Sequence, residues 1–349
     1  MIDIRLYGAK ADGVTDCITA ISAAILVGDI IIQNGTFVIS ESIKIPSNRT
    51  IYGKNAKLKM ADGSYDNAFR NSDFDGGNVN VKVIGLGNFL IDGNTVNNIE
   101  VNPFTDISHY TRYPNIYGGD NVYKYNLFFF YNVTGFEVSG INFIDRPHFV
   151  GVIAWSSEGV IDNIYLNYYT LTLNQDGIDF ANGCHNIAYG NIRGYCGDDW
   201  TGLGAGDKFG FNYYSDGWNI GDIHDISFSN IKVFSELYHL YIIICGDGNK
   251  VYNISFDDIL INYCGGVLYT GYTSFRTVAP TKEDIQNITM DNILVKTMRE
   301  DHRAAFSLGE DCQDITITNF TNESGEPDFE ETGGLDIVNF TINGTAYPL

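Results

Sequence analysis

Apolar and polar residues alternate along most of this chain in short runs, and one run is restated again and again. It reads Asn132-Val-Thr-Gly-Phe-Glu-Val-Ser-Gly-Ile-Asn-Phe143, Val160-Ile-Asp-Asn-Ile-Tyr-Leu166, Cys184-His-Asn-Ile-Ala-Tyr-Gly-Asn-Ile192 and Ile223-His-Asp-Ile-Ser-Phe-Ser-Asn-Ile231. It continues as Val251-Tyr-Asn-Ile-Ser-Phe-Asp-Asp-Ile259, Ile285-Gln-Asn-Ile-Thr-Met-Asp-Asn-Ile293, Cys312-Gln-Asp-Ile-Thr-Ile-Thr-Asn-Phe320 and Leu335-Asp-Ile-Val-Asn-Phe340. A period of two is that of a strand with one face turned inward. An Asn or Asp followed by an apolar residue closes each phrase, as expected where the chain turns and a short polar side chain bonds local backbone. Several starts lie roughly 20 to 30 residues apart, the repeat length of stacked supersecondary units. The longer interval from 184 to 223 marks an insertion. The pattern predicts an all-β chain wound as a right-handed parallel β-helix, a solenoid of short stacked strands.

The first residues follow a different pattern. Thr15-Asp16 precedes Cys17-Ile-Thr-Ala-Ile-Ser-Ala-Ala-Ile25, which reads as a capped helix of about three turns. A solenoid needs its open end covered, and this helix is expected to plug the first rung. Short strands follow at Ile30–Gln33, Val38–Ser40 and Val81–Gly85. A length of 349 residues exceeds one ordinary globular core. A solenoid escapes that limit because each repeat packs only on its neighbours. We therefore expect a single β-helix domain over 1–349, with a cap at 1–30 and long loops at 101–126 and 200–222.

Composition narrows the function classes. The net charge is −22, from 43 acidic and 21 basic residues. A nucleic-acid groove needs a basic footprint, so nucleic acid is not an expected partner. No apolar run reaches the length of a membrane span; the longest, around Leu237–Cys245, is interrupted by His239. The opening Met1–Gly8 carries neither the basic nor the apolar region of a signal peptide. Six cysteines occur without a C-x-x-C pair, so no zinc or redox motif and no metal or cofactor is expected. Buried free thiols are the expectation, although the even count leaves disulfides open. The N-x-S/T sequons, as at Asn253 and Asn287, coincide with the repeat phrase and read as turn asparagines before strand residues.

Candidate chemistry lies in two acidic phrases, Asn174-Gln-Asp-Gly-Ile-Asp179 and Gly197-Asp-Asp199. Asp176 and Asp198 are 22 residues apart, about one rung, so their backbones are expected to stack about 4.8 Å apart. Asp176 would then lie against Asp198 and Asp199. Carboxylates crowded in this way repel, which raises at least one pKa and readies a proton donor. An inverting glycosidase needs such an acid together with a base that activates water. Between Trp200 and Asp222 the insertion is rich in Gly and aromatic residues. Its Trp200, Phe209, Tyr213, Tyr214 and Trp218, with Lys208, read as sugar-stacking platforms or as packing for the loop itself. Gly202, Gly204 and Gly206 follow no strand-to-helix pattern, which argues against a nucleotide loop.

Further phrases carry a resemblance. Tyr7-Gly-Ala-Lys-Ala-Asp-Gly-Val-Thr-Asp16, Gly85-Leu-Gly-Asn-Phe-Leu-Ile-Asp-Gly93 and Arg146-Pro-His-Phe149 resemble motifs of the pectate-lyase-3 and polygalacturonase-like superfamily. That superfamily comprises β-helical hydrolases, lyases, epimerases and phage tailspikes, so its fold leaves the function open. The two acidic phrases resemble the N-T-D and G-D-D motifs of polygalacturonase-type glycosidases. The resemblance makes Asp198 the general acid, gives Asp176 and Asp199 the attacking water, and puts Asn174 and Asp179 among the substrate contacts. His239 resembles the family's catalytic histidine, although Tyr238 and Leu240 replace its flanking glycines; a core or turn histidine is the other reading. The family's basic R-I-K phrase should fall near Gly265–Gly271, where no basic residue stands and Arg276 is the nearest. A neutral or differently decorated polysaccharide therefore fits better than polygalacturonate.

The expected function is an inverting glycoside hydrolase acting on a polysaccharide. The alternatives are a polysaccharide lyase or epimerase, which the scarcity of basic residues near the aspartates disfavours, and a non-catalytic glycan-binding phage-tail or adhesion module. The expected location is extracellular or on a virion surface, and the tailspike reading carries a homotrimer with it.

Overall fold

The computed structural model describes residues 1–64, 66–98, 126–146, 149–167, 175–205, 221–235, 238–271, 278–300, 304–331 and 334–347. Among these, parallel strands stack into two long sheets around one interior. The larger sheet collects the long strands, including Ser157–Asn167, His185–Cys196, Ile223–Ser235, Val251–Tyr263, Ile285–Val295 and Cys312–Asn322. The second sheet collects short ones, among them Phe128–Tyr131, Gly151–Ala154, Ile178–Ala181, Thr201–Ala205, His239–Cys245 and Gly266–Thr270. The chain alternates between the sheets, so each long strand and the short strand after it form one rung of a right-handed parallel β-helix.

The repeat phrase explains the long strands. Its second apolar position stacks as Ile187, Ile226, Ile254, Ile288 and Ile315, and its last as Ile192, Ile231, Ile259, Ile293 and Phe320. All ten are buried. The Asn or Asp before each of these positions has left-handed backbone: Asn186, Asp225, Asn253, Asn287 and Asp314 have φ between 52° and 56°. Asn191, Asn230, Asp258, Asn292 and Asn319 form the second such column, with φ between 50° and 56°. Among non-glycine residues, Asn and Asp enter this region at least cost, because their short side chains bond locally. Those side chains also bond rung to rung. Asn253 Nδ2 donates to Asp225 Oδ1 at 2.9 Å, and Asn230 Nδ2 to Asn191 Oδ1 at 2.6 Å. The phrase therefore encodes two bends per rung, and the sequon asparagines Asn253 and Asn287 are members of the first column.

The N-terminal helix spans Ile18–Val27 and puts Ile18, Ile21, Ala24 and Ile25 into the core. Asp16 Oδ1 accepts the Ile18 N–H at 3.1 Å and Asp16 Oδ2 accepts the Ser40 hydroxyl at 2.6 Å, tying the helix start to the first rungs. At the other end Ile337–Ile342 pairs antiparallel with Thr345–Ala346. All six cysteines are free and buried. No helix among the described residues is long and apolar enough to cross a membrane. The expected loop 200–222 begins instead with a strand of the second sheet, Thr201–Ala205; 206–220, like 101–125 of the other loop, lies outside the described residues.

Candidate active site

The corner leading into the short sheet brings the acidic phrases together. Pairing of Phe180 with Leu203 carries Asp176 onto Asp199 in register, and pairing of Thr201 with Tyr241 carries Asp199 onto His239. Backbone bonds continue this alignment through the corner: Gly177 N–H donates to Asp199 O at 3.0 Å, and Trp200 N–H to His239 O at 3.1 Å. Asp176, Asp199 and His239 thus form one column on three successive rungs, followed by Gly266 on the next. The 22-residue spacing put Asp176 against Asp198 and Asp199; the register aligns it with Asp199 and leaves Asp198 one position earlier.

Each carboxylate has a different environment. Asp176 is 8% exposed, and its Oδ1 is buried without a hydrogen-bond partner. Burial first, then the charges of Asp198, Asp179 and Asp199, pushes its carboxyl well above the usual range; the Arg146 guanidinium opposes them. Asp198 Oδ1 accepts the Asp199 N–H at 3.0 Å, while its carbonyl accepts the hydroxyl of buried Ser235 at 2.6 Å. Asp179 Oδ1 accepts the Gly202 N–H of the next rung at 2.7 Å. Asp199 Oδ1 accepts the His239 N–H at 2.9 Å and lies 3.7 Å from His239 Nδ1.

His239 begins its strand with its ring stacked on Tyr269, centroids 4.8 Å apart. The absence of a side chain at Gly266 permits this: a Cβ there would come within 2.7 Å of the imidazole. The histidine therefore belongs to the carboxylate corner and not to the core. Gly177 has a similar role, since a Cβ would come within 2.2 Å of the Trp200 carbonyl and open the corner.

Trp200 is the correction to the sugar-stacking set. It is 0% exposed and packs in the core, because its register partner is the inward Leu240. A side chain on that column offers no face to a ligand. Asn174, Lys208, Phe209, Tyr213, Tyr214, Trp218 and Arg276 lie outside the described residues. Sequence reasoning missed Arg146 and Tyr269. Arg146 is 1% exposed beside the carboxylates, and its only signal was a basic residue heading the Arg146–Phe149 phrase. Among the described residues, no group of three or more His, Cys, Asp or Glu side chains is arranged to hold a metal ion.

Comparison with known proteins agrees on architecture. The family 28 exopolygalacturonase of Yersinia enterocolitica superposes with a TM-score of 0.66 at 13% identity, covering 100% of this chain and 79% of that one. The tailspike protein of E. coli bacteriophage HK620, in complex with a pentasaccharide, gives 0.63 at 11% identity over 97% of this chain and 64% of its own. The chain has a polygalacturonase-like right-handed β-helix. No family model matches it. A stretch of 99 residues, 27% of this β-helical chain, is 39% identical to the preneck appendage protein of Bacillus phage PZA. That stretch spans 11% of the appendage protein's length.

Proposed function

We propose that this chain is a glycoside hydrolase that cleaves a polysaccharide with inversion, displayed on a virion surface. The observation that carries this reading is the stacking of Asp176, a buried carboxyl that burial and the neighbouring carboxylates push well above the usual range, on Asp199, whose Oδ1 accepts the His239 N–H of the adjacent rung. In the proposed reaction, the Asp176–Asp198 pair stores the proton, which passes to the glycosidic oxygen as the C–O bond breaks. Asp199 orients a water and takes its proton as the new C–O bond forms at the anomeric carbon. This keeps Asp198 as the donor that resemblance suggests and moves buried Asp176 from the attacking water to the proton reservoir. The net charge of −22 and the lack of a basic residue in Gly265–Gly271 favour a neutral glycan. Similarity to a phage appendage protein supports the location and also favours a second reading, a glycan-binding module without catalysis. The homotrimer belongs to the tailspike reading and is measured by sedimentation velocity.

One assay separates the readings. Wild type and Asp198→Asn are incubated with a glycan panel while reducing ends and absorbance at 235 nm are followed. New reducing ends without unsaturated product, abolished in the variant and of inverted anomeric configuration by NMR, support the proposal. Absorbance at 235 nm indicates a lyase. Binding without product leaves the adhesion module.

A further inference from the structure

A buried arginine is costly unless its charge is offset and its donors are used. Arg146 follows the strand Asn142–Ile144, at the corner that precedes the acidic phrases. Its Nη2 donates to the Gln175 carbonyl at 2.7 Å and lies 3.5 Å from Cys196 Sγ. Gln175 Nε2 returns a bond to the Arg146 carbonyl at 2.7 Å. The same Gln175 carbonyl accepts the Gly197 N–H at 3.0 Å and the Cys196 thiol at 2.9 Å. Gln175 is 0% exposed and immediately precedes Asp176. One guanidinium thus clasps the backbone from which Asp176 projects and reaches the end of the strand leading to Asp198.

The local charge makes this clasp more than packing. Among the described residues, the titratable groups around Asp176 are Asp179 on its own rung, Asp198, Asp199 and Cys196 from the next, His239 from the one after, and Arg146 from the preceding corner. Four of these carboxyls, Asp176 included, are opposed by one permanent cation. We infer that Arg146 is a positioning residue of this site: clasped to Gln175, it offsets the carboxylate charge gathered at the corner and tunes its charge state. The inference rests on the proposed site, though its test does not need a substrate. Burial and like charge push the Asp176 carboxyl up while Arg146 pulls it down, so losing the cation raises it further.

The test is a 13C titration of protein labelled at the aspartate carboxyl carbon, with the Asp176 resonance assigned through Asp176→Asn. In Arg146→Gln the Asp176 midpoint should move up by about one pH unit, and Arg146→Lys, which keeps the charge, should recover most of that shift. Where an active glycan is known, the alkaline limb of the kcat/KM profile, which reports loss of the donor's proton, should move up with it. A folded Arg146→Gln protein with an unchanged midpoint overturns the inference. Should Arg146→Gln fail to fold, removing a neighbouring carboxylate in Arg146→Gln/Asp198→Asn should restore folding, and failure to do so overturns the charge-offsetting role. A shifted midpoint in a protein that cleaves no glycan overturns the hydrolase reading and leaves this one standing.

Discussion

His239 and Asp199 meet twice across adjacent rungs, through the backbone N–H at 2.9 Å and through Nδ1 at 3.7 Å from the same carboxylate oxygen. The backbone contact survives substitution of the histidine by alanine. His239→Ala should therefore lower kcat/KM by about 10- to 100-fold, while Asp199→Asn, which removes the base, should cost about 10²- to 10⁴-fold. Initial rates of reducing-end release measure both, and equal losses would argue against a supporting role for the imidazole.

Asp176 affects stability as well as chemistry. A carboxyl whose folded-state pKa lies above its unfolded value binds more protons when folded, so its contribution falls as pH rises between the two. Asp176→Asn removes that dependence. It should melt above wild type at pH 8, with the gap closing toward about pH 4, where the folded carboxyl is protonated and the unfolded one begins to be. Scanning calorimetry at the two pH values decides it, and an equal gap at both would show that Asp176 is not the proton holder.

The left-handed asparagines invite a backbone test. Asn253 has φ of 56° and takes part in the ladder through its side chain. Glycine and alanine both remove the ladder bonds, but only alanine retains a Cβ in that conformation. Asn253→Ala should be less stable than Asn253→Gly by about 1 kcal/mol in urea unfolding. The opposite order would mean that the loss of glycine's unfolded-state entropy outweighs the strain.

The thiols should be inert. Burial pushes Cys184, Cys245, Cys264 and Cys312 up to about 12, leaving almost no thiolate at neutral pH. A chromogenic disulfide reagent at pH 8 should find these four unreactive in the native protein and all six cysteines after denaturation. Fast native reaction at any of the four would mean that its rung opens locally.

The sequence by itself determined the solenoid. Ile187, Ile226, Ile254, Ile288 and Ile315 announce a stacked core because strand periodicity is local, and a repeated phrase can bury its apolar face only against its own copies. It also offered Asp176, Asp198, Asp199 and His239 as candidates, through two acidic phrases about one rung apart and a resemblance to glycosidase motifs. Only the tertiary structure decided which of them align. Register depends on the length of every intervening corner, and it aligned Asp176 with Asp199 of the expected Asp198–Asp199 pair and placed Trp200 on an inward column. Arg146 was equally out of reach. What makes it part of the site is burial and a backbone carbonyl 29 residues along the chain, a contact that exists only once the rungs are stacked.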